Sequence, residues 1–229
     1  MNIYDTHFHL DLQKDKPKAI DCIQKNKIYT IAMTNLPDLY IKEIAHYKCD
    51  YIRVALGFHP ELIHDYRHQI PMMWEQLQNA RYIGEVGLDF SSNMHVNEQI
   101  QFFTSLMEKC RYTNKIISIH SRKAVKPVLD IIGESFMFKP ILHWFTGSIN
   151  DAKIASQRGF YFSVNPNMVK TKKFNQLVKV LPRERVLIET DSPFTNGNGS
   201  HCDMLKFVDG ELRNYGIEPW TNFQQLLRD

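Results

Sequence analysis

Two histidines, His7 and His9, stand one residue apart in the segment Ile3-Tyr4-Asp5-Thr6-His7-Phe8-His9-Leu10, straight after a short apolar run. Residues two apart leave an extended strand on the same face, so both imidazoles would point one way and can grip a single metal ion. Alone, such a pair is equally well read as two solvated or backbone-bonded side chains. Its meaning rests on whether further ligands occur downstream, at positions one fold would bring together.

Candidates do occur, in five further blocks. They are Gly57-Phe58-His59-Pro60, Gly84-Glu85-Val86-Gly87-Leu88-Asp89, His120-Ser121-Arg122, His143-Trp144-Phe145-Thr146-Gly147-Ser148 and Glu189-Thr190-Asp191-Ser192-Pro193. The elements around them are regular. Short β-branched or aromatic runs predict strands at 3–5, 29–33, 52–56, 82–85, 116–120, 141–143, 161–164 and 186–189. Between them, amphipathic stretches predict helices at 17–26, 37–47, 72–79, 97–112, 125–132, 150–158 and 173–181, with Pro17 and Pro37 near first helical positions and Asn150 as a cap. Strict alternation of this kind implies a parallel sheet, and eight units in 229 residues imply an α/β fold of the (β/α)8 TIM-barrel type, a single domain over 1–229. An open doubly wound sheet is the competitor, but no Gly-x-Gly-x-x-Gly follows the first strand.

A barrel gathers its chemistry at the C-terminal ends of its strands. Five of the ten histidines, His7, His9, His59, His120 and His143, fall at such ends, whereas His46, His64, His68, His95 and His201 fall in helices or loops and read as ordinary solvated side chains. So many polar groups converging on one cavity would be costly unless they served a purpose. Imidazoles with carboxylates suit two divalent ions, zinc, manganese or magnesium. The residues assign His7, His9 and Asp191 to one ion and His120 and His143 to a second, with Glu85 bridging both. Such a pair clamps a phosphate, which makes a phosphodiester hydrolase with Glu85 and Asp191 at its catalytic centre. His59, rigidly placed before Pro60, is free to deliver a proton or touch the phosphate.

Composition agrees with this. A 43% hydrophobic content supplies a substantial core, and a net charge of +3 permits a polyanionic partner without demanding one. Cys22, Cys49, Cys110 and Cys202 are too scattered for a thiolate zinc site and read as reduced core residues. No basic segment followed by an apolar one opens the chain and no apolar run is long enough to span a bilayer, so the expectation is a soluble cytoplasmic protein with no membrane partner. Arg122, Lys123 and Lys126 after the fifth strand, and Lys170, Lys172 and Lys173 after the seventh, are candidate phosphate contacts; charge runs are also commonly solvated helix faces. Phe8, Phe58, Phe90, Trp144, Phe145 and Phe194 neighbour the proposed ligands, and Trp144 and Phe90 are taken as the ones that face substrate, stacking on bases of single-stranded DNA or frayed ends.

Together these blocks, in this order, resemble the TatD-type metal-dependent deoxyribonucleases within the amidohydrolase-like barrels, over nearly the whole chain. The resemblance implies a distorted (β/α)8 barrel, divalent ions on His7, His9, Glu85, His120, His143 and Asp191, a catalytic or substrate-contacting His59, and 3′-to-5′ exonuclease or endonuclease action on DNA. The chain departs from the family in its curtailed C-terminal region, where 205–215 and 220–227 are the helical candidates, and in Trp144, where many members carry Cys. With the segment 162–168, those features resemble the TatD-like nucleases of the Qat anti-phage gene clusters, which implies protein partners in a defence system. Two other classes remain open: an amidohydrolase or esterase acting on a small molecule, and a catalytically silent barrel serving a larger complex. Against the first, many such enzymes bridge their metals with a carbamylated Lys from the fourth strand, where this chain has Glu85.

Overall fold

Strands and helices alternate along the chain, with two helices after each of the last two strands. A computed structural model describes residues 3–47, 49–195 and 199–228. Its elements are β1 (Tyr4–Phe8), α1 (Lys16–Asn26), β2 (Tyr29–Ala32), α2 (Pro37–His46), β3 (Ile52–Val54), α3 (Ile70–Leu77), β4 (Tyr82–Gly87), α4 (Val96–Cys110), β5 (Ile116–His120), α5 (Val125–Ile132), β6 (Lys139–Leu142), α6 (Ile149–Gln157), β7 (Tyr161–Val164), α7 (Pro166–Val169), α8 (Lys172–Leu177), β8 (Val186–Ile188), α9 (His201–Arg213) and α10 (Pro219–Arg228). Every described strand pair is parallel, in the orders β1-β2-β3 and β4-β5-β6-β7-β8. These eight strands form the expected (β/α)8 barrel.

Backbone hydrogen bonds join the two sheets into that barrel. On one side Leu56 bridges to Ile83, its N–H donating to the Tyr82 carbonyl while Gly84 N–H donates back to Leu56. On the other, Asp191 N–H donates to the His7 carbonyl at 2.9 Å and His9 N–H to the Ser192 carbonyl at 3.1 Å. The seam therefore carries the ligand candidates themselves. Distortion shows as register shifts between β1 and β2 and between β4 and β5.

Helix packing follows the apolar period. In α5, Val125, Val128, Leu129 and Ile132 are all buried, the i, i+3, i+4, i+7 stripe of a helix laid on a sheet. Each such side chain contributes about 1.5–3 kcal/mol. The cap of α6 is Ser148, two residues before the expected Asn150: its Oγ accepts from Asp151 N–H, and the Asp151 carboxylate accepts from Ser148 N–H. Asn150 already lies inside the first turn, where it cannot reach back over the orphan N–H groups.

The C-terminal helices seal one end of the barrel. Tyr4 stacks on Phe223 of α10 at 4.1 Å, donates its hydroxyl to the Pro219 carbonyl and accepts from Ile188 N–H. Asn222 Nδ2 donates to the carbonyls of Arg183 and Val186. Thus α10 plugs the N-terminal ends of the strands. Helix α9 begins four residues before the expected 205 because Ser200 and Asp203 form a capping box.

Two glycines let the strands approach closely at the other end. A Cβ on Gly57 would lie 1.6 Å from the Thr34 carbonyl oxygen, and one on Gly87 would lie 2.0 Å from that of His120, where φ is also +143°. Neither site admits a side chain.

Candidate metal centre

The first donor group lies across the β1–β8 seam. His7, inside β1, and His9, just beyond it, bring their Nε2 atoms to 3.2 Å from each other. Glu85 Oε2 lies 3.6 Å from His7 Nε2 and 3.3 Å from His9 Nε2. Asp191 Oδ1 lies 3.5 and 3.3 Å from the same two nitrogens. Four donors around a zinc-like ion at 2.0–2.1 Å are separated by tetrahedral edges of about 3.3–3.4 Å. The five separations span 3.2–3.6 Å, and Asp191 Oδ1 has no hydrogen-bond partner. These residues fit one divalent ion.

A second group uses the other oxygen of Glu85. His120 Nδ1 and His143 Nε2 lie 3.4 Å apart, with Glu85 Oε1 at 2.5 Å from the former and 2.9 Å from the latter. The nitrogens match a shared ion, while the oxygen stands at hydrogen-bond distance and would draw back about half an ångström to share it. Glu85 thus divides its oxygens between two donor sets, as expected of a bridging carboxylate.

Behind the donors, buried partners fix the rings. Asp89 Oδ2 accepts from His120 Nε2 at 2.8 Å, so that when an ion displaces the proton Nδ1 shares with Glu85 Oε1, Nδ1 is the nitrogen that offers its lone pair to the centre. Ser118 Oγ bonds His7 Nδ1 at 2.7 Å. Glu189, fully buried, accepts from the N–H of Trp144, from Asn165 Nδ2 and from Ser163 Oγ, and lies 3.8 Å from His143 Nδ1. Asp5 accepts from His7 N–H, Thr190 N–H and Thr190 Oγ1, and pairs with His201 Nε2 at 2.8 Å.

The sequence reading assigns no role to Asp5, Asp89, Ser118 or Glu189 and takes His201 as solvated. Ser118 sits two residues from His120 on the same face of β5, Glu189 lies two residues before Asp191, just past the end of β8, and Asp89 ends the Glu85 block, so spacing is a usable signal. For His201 no local signal exists. Instead of being solvated, it is half-buried, stacked on Phe8 at 4.5 Å and bonded to Asp5 across 196 residues of chain. His64 and His95, also expected to be solvated, stack on each other at 3.5 Å.

Burial and charge act in opposition here. Burial lowers the His7 pKa below its ordinary value, and His143 lowers it further. Burial works the same way on His9, but Asp191 and Glu85 outweigh it and hold that pKa up to about 9. Burial would raise Glu85, yet His143, His59 and His120 hold its carboxyl well below the usual range. Ligation needs neutral imidazoles, so metal capture releases protons here. His59 stands apart: burial pushes it down to about 4, leaving it neutral. Its Nδ1 accepts from Glu61 N–H at 3.3 Å, so the proton sits on Nε2, 3.7 Å from Glu85 Oε1.

The donors open into a cavity of about 620 Å³ whose walls include His59, Glu85, Arg122, Trp144, Asp191 and Phe194. Arg122 and Trp144 lie on the wall of this cavity. Phe90 does not line it; its ring packs half-buried against the core while its N–H donates to the Arg122 carbonyl. Phe194, 56% exposed, is edge-on to His9 and lines the cavity. Phe8, Phe58 and Phe145 are core residues. Among the lysines, Lys126 pairs with Asp130, Lys170 lies over Phe207, and Lys173 donates to the carbonyl of Thr146 on the cavity wall.

A parallel (β/α)8 barrel with histidines and carboxylates converging at the C-terminal strand ends defines the class of barrel metal hydrolases. Residues 4–207 match the family model of the TatD-related DNases, and the chain belongs to that family. It is 26% identical over 215 residues to the human deoxyribonuclease TATDN3, covering 84% of this chain and 78% of that protein. To the uncharacterized metal-dependent hydrolase YabD of Bacillus subtilis it is 29% identical over 206 residues, covering 84% and 80%. In fold it is similar to YjjV, a TatD homologue from Escherichia coli, with a TM-score of 0.74 at 18% identity over 98% of this chain and 95% of that one. No helix among the described residues is long and apolar enough to cross a membrane.

Proposed function

We propose that this chain hydrolyses phosphodiester bonds of DNA at two divalent ions, one held by His7, His9 and Asp191, the other by His120 and His143, with Glu85 shared. The observation that carries it is the division of Glu85, Oε2 facing the first donor set and Oε1 the second. When bound, the ions supply Lewis-acid polarisation of the phosphodiester and an acidified water as nucleophile.

The protein's own groups do the positioning. His59 offers a neutral Nε2–H to a phosphate or leaving oxygen. Arg122, on the wall, meets the next phosphate. Trp144 and Phe194 stack on bases, which favours single-stranded or frayed ends, since a duplex keeps its base faces covered; 3′-to-5′ polarity is supported by the family resemblance alone. The four free cysteines suit the cytoplasm. Membership of an anti-phage gene cluster is the narrowest reading, supported by the likeness at Trp144 and at 162–168 alone.

The test is incubation of the purified protein with end-labelled single-stranded DNA and manganese, magnesium or chelator. Degradation with metal, stopped by chelator and absent in Glu85→Ala, supports the proposal. Intact DNA with every metal, or degradation that survives Glu85→Ala, defeats it.

A further inference from the structure

Three side chains outside the described centre form a second donor cluster. His64 follows the short 3-10 turn after β3, His95 is the residue before α4, and Glu98 lies in the first turn of α4. They are 33, 37 and 40% exposed. His64 Nδ1 lies 2.9 and 3.1 Å from the two carboxylate oxygens of Glu98, and His95 Nδ1 lies 3.6 Å from Oε1. The two imidazoles stack at 3.5 Å with planes 12° apart, and one donor atom from each of the three residues falls within 4.8 Å of the others. None of the three lines the catalytic cavity.

Two loops are joined by this contact. The loop after β3 carries His59, Glu61 and Leu62 on the cavity wall before it reaches His64, and the loop after β4 carries Asp89 before it reaches His95. The αL conformation of His95, φ 52°, turns its ring back over His64. A non-glycine residue adopts that conformation only where surrounding contacts compensate for it.

We propose that His64, His95 and Glu98 bind one borderline divalent ion, zinc foremost, and so clip the loop after β3 to the loop that enters α4. Two imidazoles and one carboxylate select zinc, copper or nickel over magnesium or calcium, which prefer all-oxygen cages. Three protein donors leave a fourth position for water. Parallel rings do not aim their lone pairs at one point, so capture requires one ring to rotate about χ2. Its exposure leaves room for that. Arg67, whose Nη1 donates to the His64 carbonyl, adds a positive charge near Glu98 that works against a bound cation. The proposal is independent of the nuclease reading.

Its test is zinc binding to chelator-treated full-length protein, counted by calorimetric titration and by metal analysis after gel filtration. Wild type should bind one more zinc than His64→Ala or His95→Ala, and Glu98→Gln should weaken that event about 10- to 100-fold. Glu85→Ala should keep it. In Glu85→Ala, zinc should slow hydrogen exchange in residues 91–95, and adding His64→Ala should abolish the slowing. Melting curves in chelator establish that each variant folds. Equal zinc counts in wild type, His64→Ala and His95→Ala, or exchange in 91–95 indifferent to zinc, would overturn the proposal.

Discussion

Asp89 accepts the Nε2 proton of His120 at 2.8 Å, which leaves Nδ1 as the nitrogen that faces Glu85 and can bind an ion. Asp89→Ala frees the ring to adopt the other tautomer. Metal affinity should fall about 10- to 100-fold while kcat recovers at saturating manganese. Metal-dependence curves of DNA cleavage check this; an unchanged midpoint would show that Asp89 does not orient the ligand.

The exposed ring of Phe194 stands edge-on to His9 at the mouth, and Phe90 faces the core. Stacking on a base is worth about 1–3 kcal/mol. Phe194→Ala should therefore raise KM for single-stranded DNA about 5- to 160-fold with little change in kcat. Phe90→Ala should lower Tm and leave KM alone. Steady-state kinetics with a short oligonucleotide distinguish the two, and reversed effects would put Phe90 at the substrate.

The contrast between those two rings marks what the sequence makes legible. Strand ends can be read from short apolar runs, and each ligand candidate sits at one, so β–α alternation was enough to gather His7, Glu85, His120, His143 and Asp191. A single strand period also decides which residues face inward, which makes Ser118, two before His120 on β5, recoverable in principle. Loops obey no such period. Whether Phe90 or Phe194 reaches the mouth depends on how 88–95 and 191–195 fold back, and the contacts of His201 with Asp5 and of His64 with His95 are tertiary.

Glu43 on α2 is 5% exposed, and neither of its carboxylate oxygens has a hydrogen-bond partner among the described residues. Burial, aided by Asp11, raises its pKa to about 7. A carboxyl raised in the fold contributes stability that is fully present below its unfolded pKa of about 4.3 and is lost as pH rises through 7. Glu43→Gln removes that loss. In chelator, the variant should exceed wild type by about 1–3 kcal/mol at pH 8 and match it near pH 4.5. Denaturant titrations at the two pH values check this; an equal gap at both would rule out titration of Glu43 as the cause.

Gly87 has room for no Cβ, since the His120 carbonyl oxygen would lie 2.0 Å from it. Gly87→Ala must push β4 from β5 where they hold Glu85 and His120. It should cost about 3 kcal/mol or more, with metal affinity falling in the refolded fraction. Chemical denaturation gives the first quantity and metal titration the second.

The division of Glu85 between two ions is tested most directly by anomalous scattering from manganese-soaked crystals of the wild-type protein. Two peaks are expected, one among His7, His9 and Asp191 and one beside His120 and His143, with one Glu85 oxygen on each. A single peak, or two peaks that leave Glu85 unligated, would contradict the bridged centre.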